Sequence, residues 1–159
     1  MKALTLTQPW ATLLAIGAKR IETRSWSTAY RGPLAIHAAK GFPRDAQNYV
    51  LIEPFRSALK PIVSSKQLPV GMVIATCELV DILPTEARGC LSGVFEDYPE
   101  FDTEQERAFG DYSPNRFGWV FENVRAFDIP IPAKGALSLW DWSEAQRAET
   151  PVQRETKEI

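Results

Sequence analysis

Cysteine, histidine and methionine are scarce in this chain: two, one and two among 159 residues. Cys77, Cys90 and a lone His37 at unrelated spacings cannot assemble a zinc site. Two cysteines in a chain of this kind are expected as reduced thiols rather than as a disulfide. Long apolar runs are also missing, and nothing approaches the roughly 18 consecutive apolar residues of a membrane-crossing helix. The first apolar stretch, Thr7 to Ile16, is interrupted by Gln8 and Pro9 and is followed by Lys19 and Arg20, the reverse of a signal peptide. A cytoplasmic location and no membrane partner are therefore expected. There is no phosphate-binding glycine loop, no serine-elbow motif, no metal-ligand cluster and no internal repeat. No cofactor and no metal are expected.

What is present is ordinary in bulk and uneven in layout. Apolar residues make up 45% and charged residues 24%, as in soluble globular domains, and the length suits one domain with a sizeable core. The net charge of -2 hides a division. Residues 1–44 carry seven basic side chains (Lys2, Lys19, Arg20, Arg24, Arg31, Lys40, Arg44) against Glu22 alone. Seven acids lie between Glu96 and Asp111, with only Arg107 against them. The overall balance argues against an indiscriminate nucleic-acid coat, while the basic N-terminal third permits a local anion site.

Read in order, Lys2 to Thr7 alternates as a short strand. Gln8 to Gly17 reads as a helix of about ten residues, with Pro9 in the first turn, Trp10, Leu13 and Leu14 on its core face, and Gly17 as the left-handed stop. Gln8 can present its amide at the helix start. Strands follow around Ile21–Trp26 and Leu34–Ala39. A helix spans Pro43 to about Lys60, kinked or split by Pro54, and a loop runs from Ser64 to Pro69. Val70–Leu83 is the strongest strand signal. Within it, Glu78 needs a partner, expected from the Lys19–Arg31 region. Residues 84–116 show only a helical turn at Thr103–Phe109 and read as an acidic insertion or lid. Phe117–Phe127 and Ser138–Trp142 read as closing strands. The expected organisation is a domain over 1–143 and a polar C-terminal tail over 144–159. Five or six strands with few helices between them predict an α+β, mainly β fold: a small mixed β-barrel with peripheral helices.

The stretch that carries chemistry is Gly17-Ala-Lys-Arg-Ile-Glu-Thr-Arg24. Alternation puts Glu22, Arg24 and Trp26 on one face, with Lys19 at the entrance. A carboxylate, a guanidinium, an indole and an ammonium side by side suit a cleft for a flat, polar, anionic ligand. Lys19, Arg24, Arg31 and Lys40 could neutralise phosphate, Trp26 or Tyr112 could stack a base, and Glu22 or Gln8 could read a base edge. His37 is the one imidazole, and its alanine neighbours leave room beside it. Alternatively Lys19 and Glu22 are an acid/base pair of a metal-independent hydrolase, or the whole group is a surface ion-pair cluster that fastens helix to strand.

As a set, Gln8-Pro-Trp-Ala, Gly17-x-Lys-x-x-Glu-x-Arg-x-Trp26, Arg31-Gly-Pro-Leu-x-Ile-His-x-x-Lys40 and Phe117-Gly-Trp-Val-Phe-Glu-Asn-Val-Arg125, followed by Pro132-x-Lys134-Gly135 and Leu139-Trp140, resemble the signature of ASCH domains, which are β-barrels related to the PUA superfamily. The resemblance covers roughly residues 2–142. It implies a PUA-like barrel with a cleft between the first helix and the barrel, and the Lys19–Glu22–Arg24 segment on the cleft floor. It further implies binding of RNA or a modified nucleoside or nucleotide, with hydrolysis of RNA or of a nucleoside amide as the alternative. In the branch that acts on acetylated cytidine, Lys19 matches the family's lysine, while the threonine position holds Glu22. The branch's separate glutamate would correspond to Glu78 or Glu86.

Overall fold

The computed structural model describes residues 1–63 and 67–143. The expected tail over 144–159 and residues 64–66 of the expected loop lie outside the described residues.

The first strand, β1 (Lys2–Leu6), leads into helix α1 (Trp10–Ala15), then β2 (Ile21–Arg24) and β3 (Gly32–Ala38). Helices α2 (Arg44–Tyr49) and α3 (Phe55–Val63) precede β4 (Met72–Pro84). Helix α4 (Val94–Asp97), a 3-10 turn (Pro99–Phe101) and helix α5 (Glu104–Ala108) come before β5 (Phe117–Pro132) and β6 (Leu139–Asp141). The six strands form one curled half-barrel sheet in the order β2-β5-β4-β3-β1-β6, mainly β with helices at its periphery, as expected. Only β1 and β3 run parallel; the other pairs are antiparallel. The two outermost strands, β2 and β6, do not pair with each other among the described residues.

Apolar alternation explains the layers. Leu4 and Leu6 of β1, Leu34 and Ile36 of β3, Leu79 of β4 and Trp119 and Phe121 of β5 bury together with Leu14 of α1. A second cluster joins Leu13 to Phe55 and Leu59 of α3, with Leu68 and Phe109. A third joins Ile21 and Val120 to Val94, with Phe95, Tyr98, Phe101 and Tyr112 packed on it. Each such large side chain contributes about 1.5–3 kcal/mol by leaving water.

Three expectations change. Helix α1 has six residues rather than about ten, because Gln8 caps it from outside: its Oε1 accepts the Thr12 N–H at 3.0 Å while its Nε2 donates to the Pro69 carbonyl at 2.7 Å. Pro54 does split the following helix, leaving α2 and α3. Residues 84–116 are more structured than their composition suggests, since aromatic side chains in the acidic run pack on β2 and β5. Among the described residues Glu78 takes no basic partner; it is exposed and accepts from Asn123 Nδ2 at 3.4 Å.

Candidate functional site

The end of α1 sets the site. Gly17 adopts φ +77°, a conformation that L side chains resist, and the Lys19 N–H donates to the Leu13 carbonyl at 3.0 Å. This closing turn drives the Lys19 side chain inward, where it is 0% exposed. Its ammonium donates to the Phe109 carbonyl at 3.0 Å and lies 3.5 Å from Glu22 Oε2. The Phe109 ring is held in the α1–α3 cluster, edge-on to Phe55 at 4.8 Å, so hydrophobic packing places the carbonyl that receives the lysine.

Glu22 lies between two cations. Its other oxygen is 3.7 Å from Arg24 Nε, and Arg24 Nη2 donates to the Thr5 carbonyl at 2.7 Å. Arg24 Nε is buried and makes no hydrogen bond among the described residues. Lys19 is closed to solvent, whereas the Glu22 and Arg24 side chains keep 15% and 22% of their surface exposed.

That opening is a cleft of about 500 Å³ between β2, the end of β1 and α2, lined by Glu22, Arg24 and Trp26 and by Trp10 and Tyr49. Thr23 and Ser25 also contribute, although strict alternation would turn them away. A second lobe of about 240 Å³ shares Trp10, Glu22, Thr23 and Tyr49 and runs under Phe109 and Gly110. The aromatic walls are braced. Trp10 stands edge-on to Tyr49 at 5.2 Å, and Trp26 edge-on to Trp119 at 4.6 Å, with Trp119 Nε1 donating to the Trp26 carbonyl at 3.1 Å. Trp10 thus serves the cleft as well as the core.

The segment over 84–116 is tied to the floor of this site. Glu106, 4% exposed, accepts the backbone N–H groups of Arg20 and Ile21 at 3.0 and 2.9 Å. Thr103 and Glu106 have the spacing of a capping box. The threonine half is used, with the Glu106 N–H donating to Thr103 Oγ1 at 3.1 Å, while the carboxylate leaves its own helix for β2. Burial pushes the Glu106 carboxyl up, against the opposing pull of the Lys19 charge and the two backbone donors. Asp111 N–H donates to Thr23 Oγ1 at 2.8 Å, and Arg116 Nη2 donates to the Thr23 carbonyl at 3.1 Å.

Of the residues singled out from sequence, Lys19, Glu22, Arg24 and Trp26 come together here. Gln8 is buried and engaged in capping. Arg31 is on the surface, donating to the Thr28 and Tyr30 carbonyls and 3.7 Å from Asp81. Tyr112 packs on Phe95 at 4.7 Å behind the cleft; its hydroxyl is buried without a hydrogen-bond partner among the described residues, and burial raises its pKa. His37 and Lys40 line a different depression. The buried carboxylate near Lys19 is Glu106, not Glu78 or Glu86, which are both exposed. Sequence reasoning missed Tyr49, Thr5, Arg116 and Glu106. Among the described residues no cluster of three or more histidine, cysteine or acidic side chains is placed to hold a metal, and no helix is long and apolar enough to cross a membrane.

Comparison with known proteins bears on this arrangement. A profile of the ASCH domain matches residues 4–131. The mouse and human proteins named activating signal cointegrator 1 are 27% and 28% identical to the chain across 98% of its length. The chain spans about a quarter (25%) of the length of those relatives. The crystal structure of an ASCH protein from Zymomonas mobilis superposes with a TM-score of 0.51 at 16% identity, covering 92% of each chain, a likeness of fold. The chain belongs to the ASCH domain family.

Proposed function

Starting from that membership, we propose that the cleft binds a nucleobase of RNA or of a modified nucleoside. ASCH domains have a PUA-like fold associated with RNA binding. The observation that carries the reading is Glu22: a carboxylate fixed between Lys19 and Arg24, still open to a cleft walled by Trp10, Trp26 and Tyr49. A volume of about 500 Å³ is within the usual range of small-molecule sites. A base stacked on one of these aromatics gains about 1–3 kcal/mol. Glu22 would accept from the N–H groups of the base edge, and Arg24 would donate to a carbonyl or phosphate oxygen.

Binding is preferred over hydrolysis because of the lysine. An acid/base lysine must reach the proton it moves. The Lys19 ammonium is buried, bonded to the Phe109 carbonyl and 3.5 Å from Glu22, and Glu22 lines the cleft where Lys19 does not, so the lysine's role is to position that carboxylate. The test is quenching of tryptophan fluorescence at low salt with a panel of nucleosides and short single-stranded RNAs. Saturable quenching by at least one of them is expected; a panel in which none saturates would remove the reading.

A further inference from the structure

A larger depression, of about 820 Å³, adjoins the cleft across Thr5, which lines both. Its walls come from the end of β3, the turn before β4 and the stretch from Pro132 to Leu137. Two exposed lysines, Lys40 and Lys134, stand in the lining, and among the described residues no carboxylate does. Neither lysine is ion-paired among the described residues. Aliphatic surface lies beside them: Leu137 is 93% exposed and Val70 36%.

The floor is built, not accidental. Trp140 Nε1 donates to Thr5 Oγ1 at 3.1 Å, and the Thr5 hydroxyl lies 3.2 Å from His37 Nδ1. His37 Nε2 lies 2.9 Å from the Ala133 carbonyl, which can only accept. Nε2 therefore carries the proton and Nδ1 accepts from Thr5. Gly135 packs closely against this imidazole; a Cβ there would fall 2.5 Å from His37 Cε1 and 2.9 Å from Thr5 Oγ1. The same Thr5 gives its carbonyl to Arg24. One residue thus anchors the floors of both hollows.

Unpaired ammonium groups and open aliphatic surface, without an acid, complement a phosphate backbone and its sugars or bases. A free nucleoside held in the cleft would leave them unused. We propose that the ligand is a segment of single-stranded nucleic acid that places one base in the cleft and continues across Thr5 onto Lys40 and Lys134. This rests on the nucleobase reading of the cleft.

The test is fluorescence anisotropy with labelled oligoribonucleotides of one, three and nine nucleotides. Wild type is compared with the Lys40→Ala/Lys134→Ala double variant and with Glu22→Gln, each checked for fold by circular dichroism. Wild-type affinity should rise with length. The double variant should match wild type on the mononucleotide, lose about tenfold on the nonamer, and show a shallower salt dependence by about 0.7 per lost phosphate contact. Undiminished gain with length in the double variant would overturn the path over the lysines. So would an equal loss at every length, or displacement of the nonamer by poly-glutamate at the same concentration as by unlabelled nonamer, which would indicate an acidic protein partner. If length and lysine dependence appear while Glu22→Gln binds like wild type at every length, the cleft reading fails and the continuous path with it. Absence of wild-type binding at all lengths overturns both.

Discussion

The ammonium of Lys19 and the carboxylate of Glu22 stand 3.5 Å apart, and the two groups have opposite access to water: the lysine side chain has none and the glutamate keeps 15%. Within this pair the glutamate, not the lysine, lines the cleft. Its removal leaves a largely buried carboxylate facing one cation instead of two and strips the Phe109 carbonyl of its donor.

Lys19→Met should therefore destabilise the fold. Breaking a buried pair costs about 3–5 kcal/mol, and the lower end applies because Glu22 retains some solvent. Urea unfolding should show a loss of about 3 kcal/mol at unchanged slope. A loss below about 1 kcal/mol would place the pair among ordinary surface ion pairs.

Glu106 gives a pH signature. Burial raises its pKa in the folded protein, so the folded state holds the proton more tightly than the unfolded chain does. Its contribution to stability is fully present below the ordinary glutamate pKa and is lost as pH rises through the raised value. Stability of wild type relative to Glu106→Gln should fall with rising pH across that window and then level off. A difference that does not vary with pH would show that the carboxyl is not held as described.

His37 is the one histidine, so its ring resonances are unambiguous. Burial lowers its pKa, against a raising effect of the Ala133 hydrogen bond. Proton NMR should find it titrating below the ordinary histidine range, with nitrogen shifts of the Nε2–H tautomer above it. Because the depressed group favours the neutral ring, its share of stability is present above the ordinary pKa and lost as pH falls through the lowered one. Titration at or above the ordinary value would contradict the burial of the ring.

The cysteines should separate by access. Cys77 is buried, with its thiol pushed up to about 12, and Cys90 is exposed; both are free. A thiol reagent should modify one cysteine in the native protein and two after denaturation. Two fast native thiols would mean that β4 is not packed as described.

The strand skeleton was legible because alternation survives in short stretches such as Ile21–Arg24, where burial follows every second residue. The α1 stop was legible through Gly17, since few other residues accept its backbone angle. What escaped depends on distance along the chain. Glu106 is one of seven acids in its run and follows a threonine at capping-box spacing, so local reasoning returns it to its own helix. Its partners lie 86 and 85 residues away. Tyr49 enters the cleft only because α2 packs near Trp10. Gln8 and Arg31 look free for a ligand as polar side chains in a motif, while the carbonyls that hold them are invisible in sequence.

The most direct measurement concerns Glu22. Glu22→Gln keeps size and shape but removes the charge that the proposed base donors require, an interaction of about 1.5–3 kcal/mol. Titrated with the best-binding nucleoside or short single-stranded RNA, the variant should bind at least about tenfold more weakly than wild type while its circular dichroism is unchanged. Equal affinity in the two proteins would contradict the claim that this carboxylate reads the ligand.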